Sequence, residues 1–442
     1  MIAETILSYA KEAGLEEAEV YQSQTRTLRF DILDGQPRQF VVSDKNGLSL
    51  RGTRQGRCAS AYTEKTDEAS LRALAIQCRQ LADALETEDT VLLTPGQTPM
   101  NDDRGDDTLA RRTVSEKIEF MKKVEAAALK QDSRILRVSA CGYQETESLT
   151  TLANTQGLKA MRRSTLGLIT LSVIASNGKE QTNGFSWRAI KDLDEDKAAE
   201  FVEEAVREAV NKLDAVRIPS GRYRTILRYD VATDLLASLW AMFSADQIQK
   251  DLSILKDRQG ENIMSPLITI VDEPQLPDGF SSCDFDDEGV PTQRTVIVEN
   301  GVFKEALYDR KSALKGGRTS TGNGFKNGCS APVQVSPTNL LVKPGDLSLE
   351  EMITQIEDGV LITDLQGLHA GLNPLTSDFS LQASGFKIEQ GKLAYPVHLI
   401  TIAGNYLEMM NSILALGHDG RQDLNSVCCG SLLVDQLAIS GE

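Results

Sequence analysis

His369, His398 and His418 are the entire supply of imidazole in 442 residues. A metal hydrolase built on a His-Glu-x-x-His or His-Glu-x-x-x-His helix needs two imidazoles on one face and a general-base glutamate between them. No such spacing occurs in this chain. Of the three, His369 has the setting most suited to a ligand. It lies in Gln366-Gly367-Leu368-His369-Ala370-Gly371, where glycines allow a backbone to approach a bound molecule closely.

Cysteine offers a second chemistry. The seven residues (58, 78, 141, 283, 329, 428, 429) are odd in number and lack small-scaffold spacing, which predicts free thiols in a reducing, cytoplasmic compartment. Cys428 and Cys429 precede Gly430-Ser431 and the apolar run Leu432-Leu433-Val434. As a nucleophile, either would need a neighbouring base such as His418 or His398 to become a thiolate. The plainer reading is two small residues at a strand entrance. Carboxylates cluster at Asp102-Asp103, Asp106-Asp107, Asp194-Glu195-Asp196, and Asp284 with Asp286-Asp287-Glu288. Such runs can hold hard cations or move protons, but in an acidic chain they read as solvated faces. The run Gly316-Gly317-Arg318-Thr319-Ser320-Thr321-Gly322-Asn323-Gly324 lacks the Gly-Lys-Ser/Thr ending of a phosphate loop and reads as a flexible, substrate-facing loop.

Charge narrows the partners. Lys and Arg total 47 against 64 Asp and Glu, a net charge of −17. Nucleic-acid binders cluster cations, and anionic membrane surfaces attract them, so neither partner is expected. No apolar run approaches the ~20 residues that span a bilayer, and the N-terminal segment reads as a surface helix and not a signal peptide.

The elements that must position these residues fall into three segments. Residues 1–90 read as an α/β domain. A helical face of Ile2, Ile6, Leu7 and Ala10 is followed by strands 28–33, 38–42 and 47–51, with turns at Asp34-Gly35 and Asn46-Gly47, then a helix over 67–86. Residues 91–218 read as a central α/β segment packed with it. It begins with a loop through 87–112, a capping box at Thr113–Glu116, strands at 135–143, 148–152 and 166–175, and an amphipathic helix over 198–213. Pro219-Ser220-Gly221 marks the main boundary. Residues 219–442 read as mostly antiparallel β, with an Asn300-Gly301 hairpin, a Gln390-Gly391 hairpin, a helix over 230–243 and a capping box at Ser348–Glu351. The fold class is α+β.

Several motifs in the last segment resemble the TldD/PmbA family. They are Glu288-Gly289-Val290-Pro291-Thr292, the glycine run 316–324, Ser377-Asp378-Phe379-Ser380, Ala383-Ser384-Gly385-Phe386, Ile402-Ala403-Gly404-Asn405 and Cys429-Gly430-Ser431. The resemblance spans essentially the whole chain and is specific from about residue 285. It implies a role in peptide hydrolysis. TldD-type members carry His-Glu-x-x-x-His on a helix early in this domain and a cysteine zinc ligand near the C-terminus. Here the corresponding helix reads Asp230-Val231-Ala232-Thr233-Asp234-Leu235-Leu236-Ala237-Ser238-Leu239-Trp240, and the later position reads Leu416-Gly417-His418-Asp419.

The resemblance therefore implies the PmbA or TldE branch, a metal-free and non-catalytic partner of a TldD-type zinc subunit in a dimeric protease. That protease processes unfolded peptides, peptide-antibiotic precursors and an antitoxin. The family's older label is modulator of DNA gyrase. No cofactor is expected in this chain, and zinc only in the partner; self-pairing into a homodimer is open. Gly367, His369, Asp378, Phe379, Ser380, Gly404 and Asn405 are the expected substrate-binding or seam residues. The alternatives are an autonomous cysteine hydrolase and an interaction protein acting on gyrase.

Overall fold

The computed structural model describes residues 2–86, 93–96, 98–277, 279–422 and 424–441. The fold is α+β and separates into two units. The first comprises the residues up to Leu213 together with Asp287–Gly289 and Lys326–Val333; the second is the remainder.

The first unit is built on a mostly antiparallel sheet with several long strands. Among the described residues its strands are β1 (Glu17–Leu33), β2 (Gln36–Arg54), β3 (Arg57–Thr63), β4 (Met100–Arg104), β5 (Ile135–Asn154), β6 (Lys159–Ser176) and β7 (Gln181–Ile190). The spatial order is β3-β2-β1-β5-β6-β4, with β7 on β6. Strand side chains alternate between faces, so Val20, Phe30 and Ile32 of β1 share one face. Helices Ile2–Glu12 and Glu68–Ala84 cover one part of it, burying Ile6, Leu71, Leu74 and Cys78 against Val20, Leu48 and Leu50. Helices Val114–Gln131 and Glu195–Val210 cover another part, burying Met121, Phe201 and Val202 against Phe30, Tyr143 and Leu171. The Thr113–Glu116 capping box is present.

Three expectations change here. The turn expected at Asn46-Gly47 is absent, because β2 runs straight through it. Gly47 serves close approach instead: a Cβ there would lie 2.7 Å from the Cys329 sulfur. The strands at 135–143 and 148–152 are one strand, and the polar residues between them simply face along a half-exposed stretch. The loop expected through 87–112 contains β4, parallel to β6, and a short helix Thr108–Arg111; residues 87–92 and 97 lie outside the described residues. Two aspartates inside β4 masked its strand character, and Asp102 is buried against Arg104.

The second unit contains a closed ring of strands. Its members are β8 (Gly221–Leu227), β9 (Asp358–Gln366), β10 (Asp378–Glu389), β11 (Lys392–Asn405) and β12 (Leu432–Ser440). The order β11-β10-β9-β8-β12 is closed by pairs such as Ile402 with Ile439. Most pairings are antiparallel; β8 with β9 is parallel. Closure removes free edges along the paired stretch. The ring's interior, with Leu227, Val360, Ile362, Leu381, Ile400, Ile402 and Val434, merges with the core under helix α1 (Tyr229–Leu239). The Ser348–Glu351 capping box and the Asn300-Gly301 hairpin form as expected.

Two further expectations fail. Asp286, Asp287 and Glu288 are almost completely buried, not solvated. The glycine run is not a loose loop at its end: Thr321 and Asn323 are buried, the Thr321 hydroxyl donates to Asn323 Oδ1, and Asn323 Nδ2 donates to Asp272 Oδ2 at 2.7 Å. In both cases polar residues that look solvent-facing by type are satisfied internally.

Candidate functional site

The sequence-selected residues converge on one end of the ring in the second unit. Asp378 pairs with Asn405, Phe379 with Gly404 and Ser380 with Ala403 across β10 and β11. Gly367 adopts φ 82°, a left-handed turn that ends β9 and starts the short helix α2 (Leu368–Gly371). Such a φ strains any residue with a Cβ. The segment then folds back beside β10, with Leu372 bridging Phe379 and the Asn373 amide donating to the Asp378 carbonyl at 2.8 Å. Helix α2 packs on α1.

Asn405 is the hub of this corner. Its Oδ1 accepts the amides of Leu407 at 3.1 Å and Glu408 at 3.3 Å, capping helix α3 (Tyr406–Asn411), and also the Ser377 hydroxyl at 3.2 Å. Its Nδ2 donates to the Thr376 carbonyl at 2.8 Å and to Asp378 Oδ1 at 2.9 Å. All four hydrogen-bonding positions of the amide are directed. Hydrogen bonds from Asn405 and Thr376 hold the Asp378 carboxyl below its usual range. Phe379 is buried, while Ser380, Gly404 and His369 are exposed. The corner thus offers exposed polar groups on a rigid, fully bonded frame. Among the described residues, the sequence-selected set contains no nucleophile–base pair in hydrogen-bond contact.

Helix α1 lies at the place where the resemblance implies a metal helix. Its inward residues are Val231, Ala232, Thr233, Leu235, Leu236 and Leu239. Asp230 is tied by both oxygens to Arg228, at 2.8 and 2.6 Å. Thr233 fastens the helix to the late cysteine segment: its hydroxyl accepts the Cys429 amide at 3.1 Å and faces the Cys429 carbonyl at 3.4 Å. Cys429 is buried, and desolvation pushes its thiol up, with Cys428 and Asp419 adding to the shift. Asp419 is engaged by Ser431, through the amide at 2.8 Å and the hydroxyl at 2.6 Å. Borderline metals such as zinc want ionised thiolate, neutral imidazole or free carboxylate donors. These residues supply an apolar helix, a protonated thiol and two committed carboxylates, so they do not fit a metal ion. Among the described residues, no group of three or more His, Cys, Asp or Glu side chains is arranged to hold one.

The same burial weakens the cysteine-hydrolase reading at Cys429, while Cys428 is partly exposed. A thiol held in its neutral form and out of solvent is a poor nucleophile. Thr233 was missed by sequence reasoning because a lone threonine in an aliphatic helix carries no signature. The internal roles of Asp286, Asp287 and Glu288 were missed because burial depends on partners far along the chain. No helix among the described residues is long and apolar enough to cross a membrane.

Comparison with known proteins adds the following. Residues 220–441 match the description PmbA/TldA metallopeptidase C-terminal domain, residues 107–213 its central domain and residues 18–82 its domain 1. A Metalloprotease PmbA homolog of Haemophilus influenzae is 30% identical over 330 residues, covering 74% of this chain and 70% of that one. A solved structure from Thermotoga maritima, labelled as a modulator of a DNA gyrase, superposes with a TM-score of 0.87 at 29% identity, covering 99% of each chain. The structure of TldE from Thermococcus kodakarensis gives a TM-score of 0.91 at 22% identity over the full length of both, a likeness of fold.

Proposed function

Because the chain belongs to the PmbA/TldD metallopeptidase family, we propose that it is the non-catalytic, PmbA/TldE-type subunit of a complex that cleaves unfolded peptides. The observation that carries this is helix α1. Its inward face is aliphatic, and Thr233 bonds it to a buried, neutral Cys429. With a helix face that does not fit a metal and a buried, neutral Cys429, the chain contributes by holding substrate and partner. The corner around Asn405 is the proposed peptide or seam contact. Gly367, His369, Asp378, Ser380 and Gly404 lie on it, with Phe379 anchoring the frame from below. An extended peptide is recognised by main-chain hydrogen bonds to strand ends and by side-chain pockets beside them.

On this reading the partner is a TldD-type zinc peptidase subunit, and processing of precursor peptides or an antitoxin in the cytoplasm is the biological setting. Three segments, 1–90, 91–218 and 219–442, are the proposed working domains.

The test pairs the purified chain with a TldD-type subunit. Alone it is expected to bind no zinc and to leave an unfolded peptide intact. The mixture is expected to cleave, and a chelator to stop it. Chelator-sensitive cleavage by the isolated chain overturns the proposal. Action on gyrase, suggested by the Thermotoga relative's label, predicts altered supercoiling by purified gyrase with no peptidase subunit present.

A further inference from the structure

The helix-free face of the first unit's sheet carries charge where a second layer would normally be apolar. Glu19 and Tyr21 of β1 pair with Arg51 and Ser49 of β2 and share that face. Arg162 lies on β6. Two short pieces from much later in the sequence, Asp287–Gly289 and Lys326–Val333, belong to this unit and cover these groups.

The bonding is reciprocal. Arg51 reaches Glu19 at 2.7 Å and Glu288 at 3.3 Å. Arg162 reaches Asp287 Oδ1 at 2.7 Å. The other Asp287 oxygen accepts the Lys326 amide at 2.9 Å, so Asp287 ties the two pieces to each other. Lys326 Nζ donates to the Ser49 hydroxyl at 2.8 Å and stands 4.7 Å from the centre of the Tyr21 ring. The Thr94 hydroxyl donates to the Glu288 carbonyl at 2.6 Å. Three carboxylates and three cations make a set with no net charge.

Two members are incompletely satisfied. Glu19 Oε2 is buried with no hydrogen-bond partner. The Lys326 ammonium has a hydroxyl and a ring as neighbours, where the nearby carboxylates are taken by arginines. A buried ion pair gains little net energy, because opening returns each charge to water and offsets the lost attraction. Incomplete pairing reduces the closed state's advantage further.

We infer that Asp287–Gly289 and Lys326–Val333 form one strap, clasped to the helix-free face by these ion pairs, that detaches as a unit well below global unfolding. The clasp fixes where the strap docks, while its modest energy lets it release. Regions that open at low cost are those held by polar contacts and little apolar burial. When the strap is off, Arg51 loses Glu288 and Arg162 loses Asp287.

Trypsin reads this directly, because it cuts the Lys326–Asn327 bond only when Lys326 has left Ser49 and Tyr21. In the intact wild-type chain, cleavage there is expected at urea concentrations that leave circular dichroism unchanged, with a shallower urea dependence than global unfolding. Asp287→Asn and Glu288→Gln are each expected to raise that rate about tenfold, while cleavage after the exposed Lys315 and Arg318 stays constant. Cleavage at Lys326 that follows the global unfolding curve in the wild type overturns the inference, and so does a rate unmoved by both substitutions. If Asp287→Asn fails to fold, the wild-type urea dependence and Glu288→Gln decide the matter alone.

Discussion

Replacing Asn405 with alanine removes the hub of the candidate site, and the cost can be worked from its bonds. Loss of the cap on Tyr406–Asn411 costs about 1 kcal/mol. The Ser377 hydroxyl, fully buried, loses its acceptor for roughly another 1 kcal/mol. The expected destabilisation is therefore about 2 kcal/mol, a fall in melting temperature of roughly 4–8 °C for a unit of this size. The chain has a convenient reporter: Trp240 packs against the core of the second unit, and the other tryptophan, Trp187, lies in β7 of the first. In a Trp187→Phe background, fluorescence during guanidinium unfolding follows the second unit alone. Asn405→Ser keeps an oxygen for the cap and should retain more stability than alanine, whereas Asn405→Asp would set a second carboxylate against Asp378. A loss below about 0.5 kcal/mol for alanine, or a serine variant as unstable as alanine, refutes the assignment of Asn405 as the organising residue.

Other outcomes follow from buried groups. Asp272 is fully buried with neutral donors around it, and burial pushes its carboxyl up to about 6. The folded state then holds a proton that the unfolded state releases between about pH 6 and 4. Stability from this group rises as pH falls through that window, by roughly 3 kcal/mol in total, and unfolding of wild type minus Asp272→Asn at pH 7 and pH 4 measures it. Thr233→Val leaves the buried Cys429 amide unpaired and should cost about 1–3 kcal/mol by denaturant unfolding. Alkylation of the native chain should reach the partly exposed Cys58, Cys329 and Cys428 before the buried Cys78, Cys141, Cys283 and Cys429, as peptide mass mapping would record.

Much of this architecture is legible in the sequence where one local rule dominates. Thr113–Glu116 and Ser348–Glu351 form capping boxes because their side chains satisfy amides three residues away. Asn300-Gly301 turns because both residues take positive φ. The corner at Asn405 was found as a set of motifs, and the structure brings its members together. Legibility ends where a residue's meaning depends on distant partners. Asn46-Gly47 has turn chemistry, yet pairing with β1 on one side keeps the strand straight, and Cys329 occupies the space that a side chain would need. Asp286-Asp287-Glu288 has the composition of a solvated run, yet Arg162 and Arg51, more than a hundred residues earlier, draw two of its members inside. No window of neighbouring residues contains that information.

The closed ring has a consequence for how the chain reaches its native state. Its first strand, Gly221–Leu227, must wait for Leu432–Ser440, the segment that pairs with it and also seals the circle against β11. Bringing together partners some two hundred positions apart carries a large loop-closure entropy, and such pairings are slow. Assembly of the ring during synthesis is therefore a late event, and until it occurs the sticky rims of β8 and β11 are open to wrong partners and to chaperones.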